Sequence, residues 1–376
     1  MGSEMCIRDS HTTFRIGGDA DLFVTPVNAA QIHDTVIYLK KAEVPYYVVG
    51  NGSNLLVSDA GYRGVIIQLY SRFAGYEILH DNCESAVDKA DVVYICVQSG
   101  MSIIKLASIV AGYSLSGMEF ASGIPGSIGG GIMMNAGAYG GEMKDIVVSA
   151  SIMDEDGNIR KLDNKELEFG YRTSVLRPGK DIVIDVVIAL HPGNQTEIRS
   201  RMAEIAASRK EKQPLEYPSA GSTFKRPEGY FAGKLISDAG LKGFTCGGAC
   251  VSEKHAGFVV NKGNATAADV IKLTDEVSEK IYELKRQMHY VQKPTLAGYL
   301  QQYYDERNRV ARTYQYGSQK AMNTNLKQLA ETIAFLSDEN IDTPEELEQR
   351  IQELSSRGHD LQYCLLYTSP SPRDPK

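Results

Sequence analysis

The stretch "VVGNGSNLLVSD", residues 48–59, decides how the fold is read. Gly50, Asn51, Gly52, Ser53 and Asn54 lie between two strand-like runs, "YYVVG" and "LLVSD". Glycines there let the backbone come close to a ligand and turn its N–H groups inward. Ser53 and Asn54 add side-chain donors, a setting that suits a pyrophosphate. A plain tight hairpin is the other reading. A dinucleotide fingerprint of the Rossmann type needs a helix after the glycines, and a P-loop needs Gly-Lys-Ser/Thr. Neither follows here, so phosphate binding stays open while its two commonest carriers drop out.

Around this loop the chain alternates strand and helix signals. "DLFVTPV" and "GVIIQL" read as strands. Asn28 can cap a helix whose apolar face is Ile32, Val36 and Leu39. Further on, "VVYICVQ" reads as a buried strand and "SIIKLASIVAGY" as a helix. "SASIMDEDGNIRKL" reads as a hairpin turning at Asp156-Gly157, and "DIVIDVVIAL" as a strand. Residues 112–141 hold ten of the 35 glycines. The run "ASGIPGSIGGGIMMNAGAYGGE" (121–142) is costly to order and leaves room for something flat against the backbone. A flexible linker is the alternative, but the apolar "IMM" is not linker-like. A helix with Ile198, Met202 and Ile205 on one side, a strand "FVVN" and a last helix over about 267–284 complete this part.

The whole chain limits what it can do. It has 376 residues, 43% hydrophobic and 23% charged, with a formal charge of −7. That length accommodates two or three domains. The acidic balance argues against non-specific nucleic-acid or anionic-membrane partners. The richest apolar run, "IVIDVVIAL", is too short to span a bilayer. The six cysteines form no Cys-x-x-Cys pair. Cys246 and Cys250 have no second ligand pair nearby, so no metal site is expected, and the thiols suit a reducing cytoplasm.

"YPSAGSTFKRP" (217–227) places Ser222 behind a glycine and before Lys225 and Arg226, with no nucleophile elbow and no adjacent histidine. Together with "HTTFRIGGDADLFV", "VVGNGSNLLVSD", "GMEFASGIPGSIGGGIMMNAGAYGGE", "FGYRTS", "AGKLISDAGLKG" and "GGACVSEKHAGFVVN", it resembles the UDP-N-acetylenolpyruvoylglucosamine reductase (UDP-N-acetylmuramate dehydrogenase) family, in its shorter subtype. The resemblance runs over residues 11 to about 283. It implies an α+β fold: a two-part FAD-binding domain of the vanillyl-alcohol-oxidase type, a smaller α+β substrate domain and then a helical tail. It also implies a monomeric, cytoplasmic flavoenzyme of peptidoglycan precursor synthesis. With FAD and NADPH, this enzyme would reduce UDP-N-acetylglucosamine enolpyruvate to UDP-N-acetylmuramate. Another FAD-dependent oxidase or dehydrogenase acting on a sugar or lactone is the alternative on the same fold.

Residue by residue, the resemblance puts Gly50, Asn51, Gly52, Ser53, Asn54 and Leu55 on one side of the FAD pyrophosphate. Gly123, Ile124, Pro125, Ser127, Gly129 and Gly130 take the other. It makes Ser222 the acid that protonates C2 of the enolpyruvyl group after hydride reaches C3, and Arg172 the guanidinium that stabilises growing charge. Tyr171, Lys225 and Arg226 are expected to face substrate, and His255 to be structural. Cys250 stands where the family often has glutamine.

The match departs from the family near its end. "SEKIYELKRQMHYVQKP" replaces the strand that carries the family's catalytic glutamate, and Glu283 falls on an expected helix. Impaired turnover is therefore expected. The expected divisions are 11–70 and 71–192 (FAD-binding), 193–284 (substrate-binding, incomplete) and 285–362, a helical tail of unrelated origin. In that tail Leu326, Leu329, Ile333 and Leu336 form one stripe, and Thr343 caps a second helix. Residues 1–10 and 363–376 are read as a non-native leader and end, without fixed structure.

Overall fold

A computed structural model describes residues 5–6, 11–79, 92–225, 227 and 230–290. By contacts the chain divides into two units, Met1–Ser278 and Glu279–Lys376. The expected helical pair at 326–358 lies outside the described residues.

The first sheet holds β1 (Met5–Cys6), β2 (Asp19–Val24), β3 (Tyr46–Val49) and β4 (Tyr62–Gln68) in the order β1-β2-β4-β3. Both β2 and β3 run parallel to β4. This settles the hairpin question. Parallel neighbours cannot be joined by a tight turn and need a crossover of about a dozen residues. Residues 50–61 are that crossover, and "LLVSD" within it is not a strand as expected but extended loop. Met5 and Cys6, expected to be without structure, pair antiparallel with Ala20 and Asp19.

Helix α1 (Ala29–Lys41) starts where Asn28 was expected to cap it, and the Asn28 side chain accepts from the Gln31 N–H. Its buried Ile32, Val36 and Leu39 pack on Val65 and Ile67 of β4. The same cluster takes in Met153, Ile182 and Ile184, so α1 ties the first sheet to the second. Each such side chain contributes about 1.5–3 kcal/mol when buried, and an aspartate at Val36 would break the joint.

The second sheet contains β5 (Tyr76–Leu79), β6 (Val93–Gln98), β7 (Leu115–Ser116), β10 (Val147–Met153), β11 (Ile159–Asp163) and β12 (Ile182–Pro192). Its path is β11-β10-β12-β6-β5, with β7 paired to β12, and every pairing is antiparallel. β12 is the apolar run of the sequence, and its Asp185 is accommodated by the Ser151 hydroxyl at 2.7 Å. The β10–β11 hairpin turns at Asp156-Gly157 as expected, with Gly157 at φ +81°. Helix α2 (Ile103–Gly112) buries Ile103, Leu106, Ala107 and Val110.

The glycine-rich run 121–142 is ordered, not a linker. It holds helix α3 (Ile128–Met133) and a small hairpin of β8 (Gly137–Ala138) with β9 (Gly141–Glu142). Beyond it come α4 (Gln195–Lys212), α5 (Ala232–Asp238), a sheet of β13 (Thr245–Cys246), β14 (Ala249–Val251) and β15 (Val259–Asn261), and α6 (Ala267–Tyr290). Of the second unit, the C-terminal part of α6 is described. No described helix is long and apolar enough to cross a membrane.

Candidate active site

The first unit contains a cavity of about 720 Å³, within the usual range for organic ligands. It is lined from widely separated segments: 11–15, 51–53, 123–125, 137–139, 209–222 and Phe258.

One wall is made by the two glycine-rich stretches meeting each other. The Asn51 amide donates to the Pro125 carbonyl at 2.8 Å, and the Asn54 amide approaches the Met134 sulfur at 2.9 Å. A side chain at Gly50 would strike the Ser127 hydroxyl, and one at Gly52 the His11 carbonyl. Gly52 also sits at φ +64°, where only glycine is at ease. Ser127 caps α3 by accepting from the Gly130 N–H at 3.3 Å. A Cβ on Gly129 would lie 2.9 Å from the Ser99 Cβ.

The opposite wall carries Ser222. Its backbone bridges to Phe258, and the Thr223 N–H donates to the Gly257 carbonyl at 2.9 Å. The Ser222 hydroxyl lies 3.5 Å from that same carbonyl, so it is only lightly held and faces the cavity. His255 stands beside this turn: its Nδ1 accepts from the Gly257 N–H at 3.1 Å and its ring meets Phe258 edge-on. Burial pushes the His255 pKa down, favouring the neutral ring that this hydrogen bond needs. Tyr217 lines the cavity under Lys262, whose pKa is raised by the hydrogen bond with that phenol.

Long-range tethers join the walls. The Thr13 hydroxyl donates to the Ser219 carbonyl at 2.8 Å. Buried Asn261 donates to the Phe14 and Arg15 carbonyls, both at 3.3 Å, and accepts from the Gly263 and Ala265 N–H groups.

Not every expected residue lines the cavity. Asn51, Ser53, Gly123, Ile124, Pro125 and Ser222 do. Gly50, Gly52, Ser127, Gly129 and Gly130 shape the wall from behind, and Leu55 packs against Ala20, Val49 and Ile66. Arg172 is one carbonyl away: its Nη2 donates at 2.6 Å to the oxygen of Gly137, a lining residue. It holds a left-handed φ of +56°, a conformation that costs about 1–2 kcal/mol outside glycine. Tyr171 lies under the Arg172 guanidinium at 5.5 Å and Lys225 is exposed. Arg226 lies outside the described residues.

The family description "FAD binding domain" matches residues 20–163, and "UDP-N-acetylenolpyruvoylglucosamine reductase, C-terminal domain" matches 213–287. A UDP-N-acetylenolpyruvoylglucosamine reductase of Caldanaerobacter subterraneus subsp. tengcongensis is 46% identical over 273 residues, covering 73% of this chain and 86% of that protein. One from Agathobacter rectalis is 49% identical over 271 residues, covering 72% and 86%. The chain belongs to the UDP-N-acetylenolpyruvoylglucosamine reductase family. The crystal structure of the reductase from Thermus caldophilus overlays with a TM-score of 0.63 at 37% identity, covering 74% of this chain and 95% of that one.

Members of this reductase family are FAD-dependent oxidoreductases of peptidoglycan synthesis that act on a UDP-sugar, and the α+β, FAD-binding architecture is the one expected. The residues present fit the flavin dinucleotide. Cβ atoms at Gly50, Gly52, Gly123 and Gly129 would strike Ser127, His11, Arg209 and Ser99, so the absence of side chains there lets the loops close into a wall of bare backbone. The buried Ser99 hydroxyl beneath Gly129 has no hydrogen-bond partner among the described residues, a costly state for a buried polar atom. Asn51, Ser53 and the Gly123–Pro125 backbone would hold the group, as polar groups converging on an otherwise side-chain-poor surface.

Sequence reasoning did not single out Asn135, Arg209 or Asn261. Asn135 is fully buried, and its amide holds Glu142 at 2.8 Å and the Gly170 carbonyl at 3.0 Å. Its place as a lone polar side chain in "IMMNAG" was the available signal.

Proposed function

We propose that the chain reduces UDP-N-acetylglucosamine enolpyruvate to UDP-N-acetylmuramate, with NADPH as the electron source and FAD as the carrier. The observation that carries this reading is that Ser222 opens into the same cavity as Asn51, Ser53 and Gly123–Pro125. Bound FAD would supply the hydride relay between nicotinamide and substrate. Ser222 gives its hydroxyl proton to C2 of the enolpyruvyl group as hydride arrives at C3, and recovers a proton from water in the cavity. A serine hydroxyl is a weak acid, but the enolate it meets is basic enough to take the proton. A hydroxyl without a strong acceptor is free to turn toward that carbon.

Arg172 stabilises the charge on the substrate carboxylate by exchanging its hold on the Gly137 carbonyl for the substrate, with Tyr171 beside it. Lys225 and Arg226 attract the diphosphate. The working parts are 11–70 and 71–192 for the flavin and 193–284 for the substrate. The enzyme acts as a cytoplasmic monomer, a setting supported by the free thiols of Cys96, Cys246 and Cys250. Turnover in this chain is slow, because the third catalytic carboxylate has no match in "SEKIYELKRQMHYVQKP".

Anaerobic stopped-flow absorbance tests the reading. NADPH should bleach the yellow protein, and the enolpyruvyl substrate should restore its colour slowly. Ser222→Ala should leave bleaching intact and slow recolouring by a further ~10²–10⁴-fold. Recolouring of the variant at the parent rate would remove Ser222 from the mechanism. Recolouring by a sugar or lactone alone would favour the alternative oxidoreductase.

A further inference from the structure

Arg209, on the last turn of α4, lines the cavity and is half-buried. Its Nε donates to the Gln213 side chain at 3.1 Å. Among the described residues no carboxylate pairs with it, whereas Arg160, Arg177 and Arg201 all have carboxylates within 3.3 Å. The guanidinium lies flush on the backbone of Gly123, where a Cβ would come 2.5 Å from the Arg209 Cδ and 3.1 Å from its Cζ. Burial lowers its pKa, so the cation is held there at a cost and, among the described residues, without a carboxylate beside it. A guanidinium whose terminal nitrogens have no hydrogen-bond partner among the described residues, lying against side-chain-free backbone, is built for a forked grip on phosphate oxygens.

We propose that Arg209 anchors a diphosphate in this cavity, with Gly123 kept side-chain-free so that the guanidinium can lie flat. Both the flavin dinucleotide and the UDP-sugar carry that group. The assignment of those two ligands rests on the proposed function, while the anion site itself does not.

The full-length chain is titrated with FAD as apoprotein, by quenching of flavin fluorescence. It is then titrated with UDP-N-acetylglucosamine and with inorganic pyrophosphate, by calorimetry. Arg209→Gln should weaken one dinucleotide or nucleotide-sugar arm by about 10–100-fold and weaken pyrophosphate similarly. Arg209→Lys should retain part of the affinity. The arm that falls identifies the ligand. Unchanged affinity in every arm, or equal losses in both variants accompanied by a lower melting temperature, would overturn the proposal. A parent chain that binds neither FAD nor the UDP-sugar, yet binds pyrophosphate through Arg209, would sink the reductase reading and leave the anion site standing.

Discussion

The two walls of the cavity are built on opposite principles. The glycine wall is shaped by the absence of side chains: Gly50 against Ser127, Gly52 against His11, Gly129 against Ser99. The Ser222 wall is shaped by side chains that reach far along the chain, Thr13 to Ser219 and Asn261 to Phe14 and Arg15. The first kind of wall fails when atoms are added, the second when they are removed. Adding atoms should affect what the cavity holds, whereas removing them should affect where its reactive hydroxyl stands.

The largest expected break is on the glycine wall. Gly52→Ala places a methyl against a backbone carbonyl at a left-handed φ. The purified variant should emerge from gel filtration colourless, its flavin lost. A variant that keeps stoichiometric flavin would show that the two loops can yield. Next comes Asn261→Ala, which strands two carbonyls and two N–H groups. It should cost about 2–4 kcal/mol in urea unfolding, and recolouring kinetics should suffer more than flavin affinity. An unchanged unfolding midpoint would mean that the tether is redundant.

A smaller effect should follow from Gly257→Ala. Its methyl would sit 3.3 Å from the Ser222 Oγ and 3.1 Å from the His255 Nδ1. Flavin content should stay normal while recolouring slows several-fold. Equal changes in both would contradict the division between the walls.

The smallest effect is a difference in acid response. Burial depresses the His255 pKa below its ordinary 6.5. The unfolded chain therefore takes up the proton first, and the contribution from His255 is full above pH 6.5 and lost as pH falls through the folded value. Amide protection factors at 217–223, which allow for the slower chemical exchange in acid, should fall below pH 6.5, while those at 50–54 change less. A parallel fall in both segments would erase the contrast.

Legibility divides along the same line. Asn28 with its Ile32, Val36 and Leu39 stripe, and the Asp156-Gly157 turn, could be read because their signals are local. The motif glycines could be read because crowding of one residue type is itself a pattern. "LLVSD" misled, because three apolar residues in a row look the same whether they pair in a sheet or only cross it. The parallel partnership of β3 and β4 decided that, and it depends on residues more than a dozen positions away. Arg209 and Asn261 were silent for a related reason. Their meaning lies in what they touch, Gly123 for Arg209 and the Phe14 and Arg15 carbonyls for Asn261, and no periodicity records neighbours so far along the chain.

The Asn261–Phe14 link spans 247 positions and the Thr13–Ser219 link 206. A nascent chain leaving the ribosome therefore presents its glycine wall long before the serine that faces it has been translated. Contacts of such sequence separation form slowly and last. The hydroxyl is thus among the last parts of the cavity to be put in place, and the two links that place it close very long loops of chain.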